Sequence, residues 1–435
     1  MDRIDIGYLG VALSFLLIVL RVPVGIVLAT VGFLGIAALT SLKASWSIVS
    51  SVPFELIGDW NLSAVPMFLL MGFLASEAGL TRGLFQAARI FLSRIPGGLA
   101  SATVVASALF AAASGSSVAT SASFSRIAIP EMLDSRYDRG LACGSVAVSG
   151  TLGALIPPSI LMILYGIFAE VSIGKLFLAG VVPGILSALM FILLITVRVL
   201  AKPDLAPRTR VTVSREEKVA ALLDIWPLPL LIVLVIGSIF LGIVTPTEAG
   251  ALGALFAMLI GLARRGLTFG IFSRAVTDTI SGTATIFIVI VGASIFSRFV
   301  ALSGLAAGLT DMLAFAVERP ILLLALTSAI YIFLGMFLES VSLMLLTLPL
   351  LLPLYHSAGI DLIWFGVICV KLLEIGLVTP PVGLNVYVIK GALGDRVSLG
   401  DVFRGTAWFL LADLVTLALL IAFPIISLWL PMLSK

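Results

Sequence analysis

Charge is scarce in this chain: acidic and basic residues fill only 11% of its 435 positions, and there is a single histidine, His356. Soluble globular domains carry about a quarter charged residues, so a water-soluble reading is excluded, and no nucleic-acid partner is expected. Cysteine is scarcer still. Cys143 and Cys369 lie far apart in apolar segments, which suits small buried residues and not a disulfide framework or a metal cluster. No G-x-x-x-x-G-K-[ST] phosphate loop is present, so ATP hydrolysis of that type is excluded. The apolar segments show neither a His/Glu metal cluster nor a nucleophile–base pair. The chain is therefore read as a non-enzyme without a cofactor.

What is present is apolar: 60% of the residues are hydrophobic and the mean hydropathy is +1.23. A helical crossing of a bilayer takes about 20 such residues, and the runs between charged clusters supply roughly ten. Backbone polar groups in hydrocarbon must be paired within the segment, which leaves helices as the spanning element. The expectation is an all-α, polytopic integral membrane protein. The opening stretch "MDRIDIGYLGVALSFLLIVLRVPVG" lacks a basic start and an A-x-A-like cleavage site, so it reads as a retained membrane helix.

The chain repeats itself. Pro23, Gly79, Pro96 and Pro158 find counterparts in Pro246, Gly304, Pro320 and Pro381, at a nearly constant interval of about 224 residues. The flanking apolar order agrees in the two halves, residues 1–200 and 225–435. Each holds a Gly/Ser-rich apolar block (98–132; 321–355) followed by a segment with a double proline (140–168; 362–389). Between the halves, the charged and Pro-containing stretch 198–224 reads as an aqueous linker, with the boundary drawn at 201–224.

If the two Gly/Ser-rich blocks dip into the membrane and return, while the other five segments of each half cross, the odd number of crossings inverts the second half. Charge placement agrees. With the linker in the cytoplasm, Arg21, the arginines from Arg82 to Arg139, the linker's basic residues, Arg264, Arg265, Arg274, Lys390, Arg396 and Arg404 fall inside, as the positive-inside rule requires. Only Arg3, Lys43, Lys175, Arg298, Arg319 and Lys435 fall outside. Both termini are then expected in the periplasm.

The double prolines sit in "GTLGALIPPSILM" (150–162) and "GLVTPPVGLNVYV" (376–388). A proline removes a backbone donor and bars the preceding residue from helical geometry. Unwound backbone at membrane depth survives only against protein, water or a bound ion. Both stretches are rich in Gly, Ser, Thr and Asn, and each follows, at the same interval, a Ser-bearing segment in mid-block: "AAASGSSVATSASFS" (111–125) and "GMFLESVSLML" (335–345). These read as two hairpin tips and two broken helices. Half-helix N-termini favour an anionic group, while unwound carbonyls coordinate a cation such as sodium. Two related ion sites flanking a substrate pocket follow.

At these residues the sequence resembles the large membrane (M) subunit of tripartite ATP-independent periplasmic (TRAP) transporters. "SGSSVAT", "GTLGALIPPS", "TPTEAGALGA", "FLGMFLES" and "LVTPPVGLN" are similar to that family's hallmark segments, in its order, over roughly residues 5–430. The resemblance implies a sodium-driven secondary transporter of the elevator type in the bacterial inner membrane. It also implies two partners, a separate small membrane subunit of four helices and an extracytoplasmic solute-binding protein that delivers a small organic acid such as a dicarboxylate or sialic acid. Carried over by position, one sodium site takes Gly115, Ser116, Ser117, Gly153, Pro157 and Pro158. The other takes Gly335, Glu339, Ser340, Thr379, Pro380, Gly383 and Asn385.

Ionisable residues within apolar segments are functional candidates. Arg126, on the return arm of the first hairpin, could clamp a substrate carboxylate bidentately or anchor in the headgroups; Ser159 and Pro381 join it as substrate candidates. Glu248 follows Thr245 in "TPTE", a capping-box pattern. Lys371 and Glu374, one turn apart, are expected to pair with each other. His356 is expected in an outer loop. The alternative to the tripartite importer is a stand-alone sodium-coupled anion symporter or exchanger of the same fold; a channel or membrane enzyme is the reading from another class.

Overall fold

The computed structural model describes residues 2–81, 83–207 and 214–434. Arg82, Lys435 and the linker's Arg208 and Arg210 lie outside the described residues, so the charge expectations that rest on them do too. Among the described residues every regular element is helical.

The first half runs through α1 (Arg3–Val19), α2 (Val24–Leu39), α3 (Leu42–Ile57), α4 (Ala64–Glu77) and α5 (Leu84–Leu92). It continues with α6 (Gly98–Ser114), α7 (Ser117–Asp134), α8 (Arg139–Leu155), α9 (Ile160–Phe168) and α10 (Ile173–Ala201). The residues read as the first hairpin form α6 and α7, and those around the first double proline form α8 and α9, bent by 42° at the break. The charged stretch 198–224 is helical over much of its described length. Residues up to Ala201 complete α10, and Arg215–Ile225 form α11. Ser214 and Glu217 close a capping box at its start and no residue of α11 is buried, so its run of Glu, Lys and Ala makes a capped surface helix.

The second half follows as α12 (Pro227–Phe240), α13 (Pro246–Ala263), α14 (Phe269–Ser303), α15 (Leu305–Met312) and α16 (Ala314–Val317). Then come α17 (Pro320–Gly335), α18 (Ser340–Ser357), α19 (Leu362–Val378), α20 (Leu384–Leu393), α21 (Leu399–Ala422) and α22 (Ile425–Leu433). The order broadly matches the first half, although α15 and α16 stand where α5 does and α21 and α22 where α10 does; a third difference is informative. Where α3 and α4 meet at 57°, α14 is a single helix of 35 residues. Pro53 lies inside α3, and Asp59 caps a short turn through Asn61 N at 2.8 Å; α14 contains no proline and nothing interrupts its ladder.

By length and apolar character alone, α10, α13, α14, α18 and α21 can each cross a membrane, and up to eight spans result if each bent pair counts as one. Ile185, Leu189, Leu193, Val197 and Leu200 recur at helical spacing along α10, each more than half exposed. Such an apolar stripe belongs against lipid or another apolar partner.

Without a hydrophobic drive between helices in lipid, close packing depends on small residues. Two glycine seams do this work. On α2 and α14, a Cβ added at Gly292 would lie 2.2 Å from the Gly25 carbonyl oxygen, and one at Gly32 would lie 2.9 Å from the Ile295 backbone. On α8 and α21, a Cβ at Gly405 would lie 1.8 Å from the Gly140 carbonyl oxygen. The first seam joins α2 to α14 beside the packed pair α4 and α13; the second belongs to a body of α6–α10 and α17–α21. The two bodies meet where α4 packs on α6 and α14 on α18.

Candidate functional site

That meeting place holds a cavity of about 390 Å³, the size of a small-molecule site. Its walls are the first tip (Ser114–Ala119), the second tip (Glu339–Val341), α4 through Gly72 and Ser76, α14 through Gly282 and Thr285, and α19 through Glu374. Both halves therefore contribute a tip to one space.

Each tip is built by its own sequence. Gly115 ends α6 at φ 61°, a left-handed conformation that costs glycine little. Ser116 then caps α7 by accepting from Ala119 N at 3.3 Å. In the second half Glu339 performs the same service for α18, accepting from Ser342 N at 3.1 Å. Of the two breaks, the first has a side-chain cap and the second a left-handed glycine. Ser159 accepts from Met162 N at 3.4 Å to start α9, and Gly383, at φ 58°, starts α20.

The first candidate ion set converges. A Cβ on Gly115 would sit 3.5 Å from the Pro158 carbonyl oxygen, and one on Gly153 would sit 3.5 Å from the backbone carbon of Ser116. Tip and break thus meet backbone to backbone, with Pro157 and Pro158 buried. In the second set the approach is similar for part of the residues. A Cβ on Gly335 would lie 2.9 Å from the Gly376 Cα, and Gly383 N donates to the Met336 carbonyl at 3.3 Å. Thr379 turns its hydroxyl back to the Ile375 carbonyl at 2.6 Å and Pro380 is exposed. Asn385 is buried but reaches the other half, donating from Nδ2 to the Ala147 carbonyl of α8 at 3.4 Å.

The donors gathered at tip and break are oxygens of carbonyls, hydroxyls and carboxylates, which suit a hard cation. No group of three His, Cys, Asp or Glu side chains placed to hold a metal ion occurs among the described residues.

The three substrate candidates are not brought together. Arg126 is exposed on α7 and does not line the cavity. Ser159 is buried with its hydroxyl committed to the cap, and Pro381 is exposed. His356 is exposed in the last turn of α18, not in a loop. Thr245 and Glu248 form the expected capping box, Glu248 accepting from Thr245 N at 2.7 Å.

The expected Lys371–Glu374 pair does not form. Lys371 forms an ion pair with Asp413 of α21 and donates to Ser187 Oγ of α10 at 3.2 Å. Glu374 faces the cavity instead, accepting from Ser117 Oγ at 2.5 Å and from Ser340 Oγ at 3.4 Å. Neighbours three apart pair readily on a free helix surface, but inside a bundle each charge takes the partner that packing presents. Glu374 is thus a residue that sequence reasoning set aside. Asp413, a lone carboxylate in an apolar run, was the visible sign that Lys371 had another partner.

Residues 11–426 match the family described as "Tripartite ATP-independent periplasmic transporter, DctM component". The chain is 35% identical over 376 residues to the sialic acid TRAP transporter large permease protein SiaM of Vibrio cholerae, covering 86% of this chain and 87% of that protein. It is 35% identical over 398 residues to the C4-dicarboxylate TRAP transporter large permease protein DctM of Pseudomonas aeruginosa, covering 91% and 92%. Its fold is similar to the crystal structure of the YdaH transporter of Alcanivorax borkumensis, with a TM-score of 0.59 at 16% identity over 91% of this chain and 90% of that one.

Proposed function

Because the chain belongs to the DctM family of tripartite ATP-independent periplasmic transporters, as a large permease subunit for organic acids, we propose that it imports a small carboxylate in step with sodium by an elevator movement. The observation that carries this reading is the cavity that both hairpin tips line, bounded on the other side by α4 and α14. The body holding both tips and both breaks is the moving part, and the body of α2, α4, α13 and α14 is the fixed wall. Oxygen-lined turns at tip and break supply sodium with backbone and hydroxyl ligands. The N-termini of α7 and α18, which open onto the cavity at Ser117 and Ser340, favour an anion there.

The carboxylate class draws on relatives named for sialic acid and C4-dicarboxylate. The partners are those of a tripartite system: a small membrane subunit as a separate chain, and a periplasmic binding protein that delivers the substrate. The protein sits in the bacterial inner membrane, with 201–224 cytoplasmic and both termini periplasmic, the halves forming an inverted pair.

The test is uptake into proteoliposomes holding the co-purified membrane complex, with and without an inward sodium gradient and the binding protein, using the acid that the binding protein retains. Uptake that needs both is the expected result. Uptake with sodium alone points to a stand-alone symporter, and uptake indifferent to sodium removes the ion assignment of both breaks.

A further inference from the structure

We propose that Glu374 is a shared anionic ligand of both sodium sites, so that the two fill interdependently; this rests on the sodium-coupled reading above. Its two carboxylate oxygens are divided between the halves. Oε2 takes the hydroxyl of Ser117 at 2.5 Å and Oε1 that of Ser340 at 3.4 Å. Ser117 and Ser340 are the first residues of α7 and α18, equivalent positions just past the two tips, and each belongs to a different candidate ion set. Glu374 belongs to neither set, yet among the described residues its side chain hydrogen-bonds to a serine of each.

The carboxylate is not itself duplicated. Aligning the double prolines, and with them Gly153 and Gly376, puts Thr151 opposite Glu374. The Thr151 hydroxyl is turned into its own helix, donating to the Val148 carbonyl at 2.6 Å. Two symmetric half-sites therefore share one asymmetric charge, placed where they meet.

That charge has no cationic partner among the described residues. Lys371, one turn away, is neutralised by Asp413. Glu339, the other carboxylate lining the cavity, caps α18 and adds negative charge. Glu374 is 3% exposed, and a carboxylate buried at membrane depth needs a cation beside it to stay ionised. An organic anion entering the same cavity makes the requirement stricter. A cation held at either tip satisfies Glu374 and draws its carboxylate into place, and the opposite serine moves with it. One ion thereby prepares the site of the other, which is a coupling free energy between sites.

The experiment is a sodium titration of the purified protein in detergent, without substrate or partners, read as bound sodium by isothermal titration calorimetry at constant ionic strength. The wild type is expected to bind sodium with a sigmoidal dependence. Glu374→Gln keeps an acceptor but loses the charge; its sodium midpoint should rise about tenfold or more and its curve should lose its sigmoidal shape. Ser117→Ala and Ser340→Ala should each raise the midpoint, and their combination should raise it by less than the product of the two, because both act through one carboxylate. The serine cycle stands even if Glu374→Gln does not fold. A wild-type midpoint in Glu374→Gln, or serine effects that multiply independently, overturns the proposal while a sodium-responsive wild type leaves sodium coupling intact. A wild type indifferent to sodium overturns both.

Discussion

Lys371 of α19 and Asp413 of α21 form an ion pair sealed inside the helix bundle, their side chains 3% and 1% exposed. Ser187 of α10 takes another of the lysine's donors, and the Phe191 ring lies 5.5 Å from the ammonium. Three helices are thereby held at one point, and the cost of burying each charge is met chiefly by the other. Lys371→Met should therefore destabilise the protein by about 3–5 kcal/mol, because it strands a carboxylate in the interior. Adding Asp413→Leu should recover most of that loss. Melting curves of the single and double variants check this, and a double variant as unstable as the single would show that the pair acts otherwise.

Gly405 permits the contact of α8 with α21. Gly405→Ala puts a methyl carbon where the Gly140 carbonyl already stands, and the helices must separate, at a cost of about 1–3 kcal/mol. Gly391 in α20 meets nothing within 4 Å. There the same change should be neutral or stabilising by about 0.5 kcal/mol, since alanine is the better helix former. Measured side by side, the two variants separate a packing requirement from a propensity effect.

Gly115→Ala tests the first tip. The space is adequate, with the Pro158 oxygen 3.5 Å from the added carbon, so the penalty comes from the left-handed φ of 61° and amounts to about 1–2 kcal/mol. Because the turn presents tip oxygens beside the break, sodium-dependent uptake should fall further than stability does. Equal losses in uptake rate and melting temperature would assign Gly115 a structural role only.

Arg126→Ala should leave the KM for substrate within about twofold of the parent. The side chain is exposed on α7 and lines no wall of the cavity. A tenfold rise in KM, with protein amount in the membrane unchanged, would restore it as a carboxylate clamp.

The legible features of this chain were local and repeated. A double proline in a small-residue context forces a break wherever it lies in an apolar run, and its recurrence after a serine-bearing turn marked the tips around Ser117 and Ser340. The unbroken course of α14 went unread, although its span holds no proline. Partner choice was not legible. Lys371 looked one turn along its own helix to Glu374, whereas its partner comes from α21, and Glu374 answers to serines of both halves. Which way Arg126 faces was set by how α7 packs on α8 and α20, a matter of tertiary contact that residue type does not encode.

The glycine seam between α2 and α14 bears on how the protein is made. Gly25 waits for Gly292, and more than half the chain must be synthesised between them. Throughout that interval the face of α2 that packs on α14 is without its partner. Domains ordinarily settle as they emerge; the packing of α2 instead stays incomplete until the longest helix of the second half has been made.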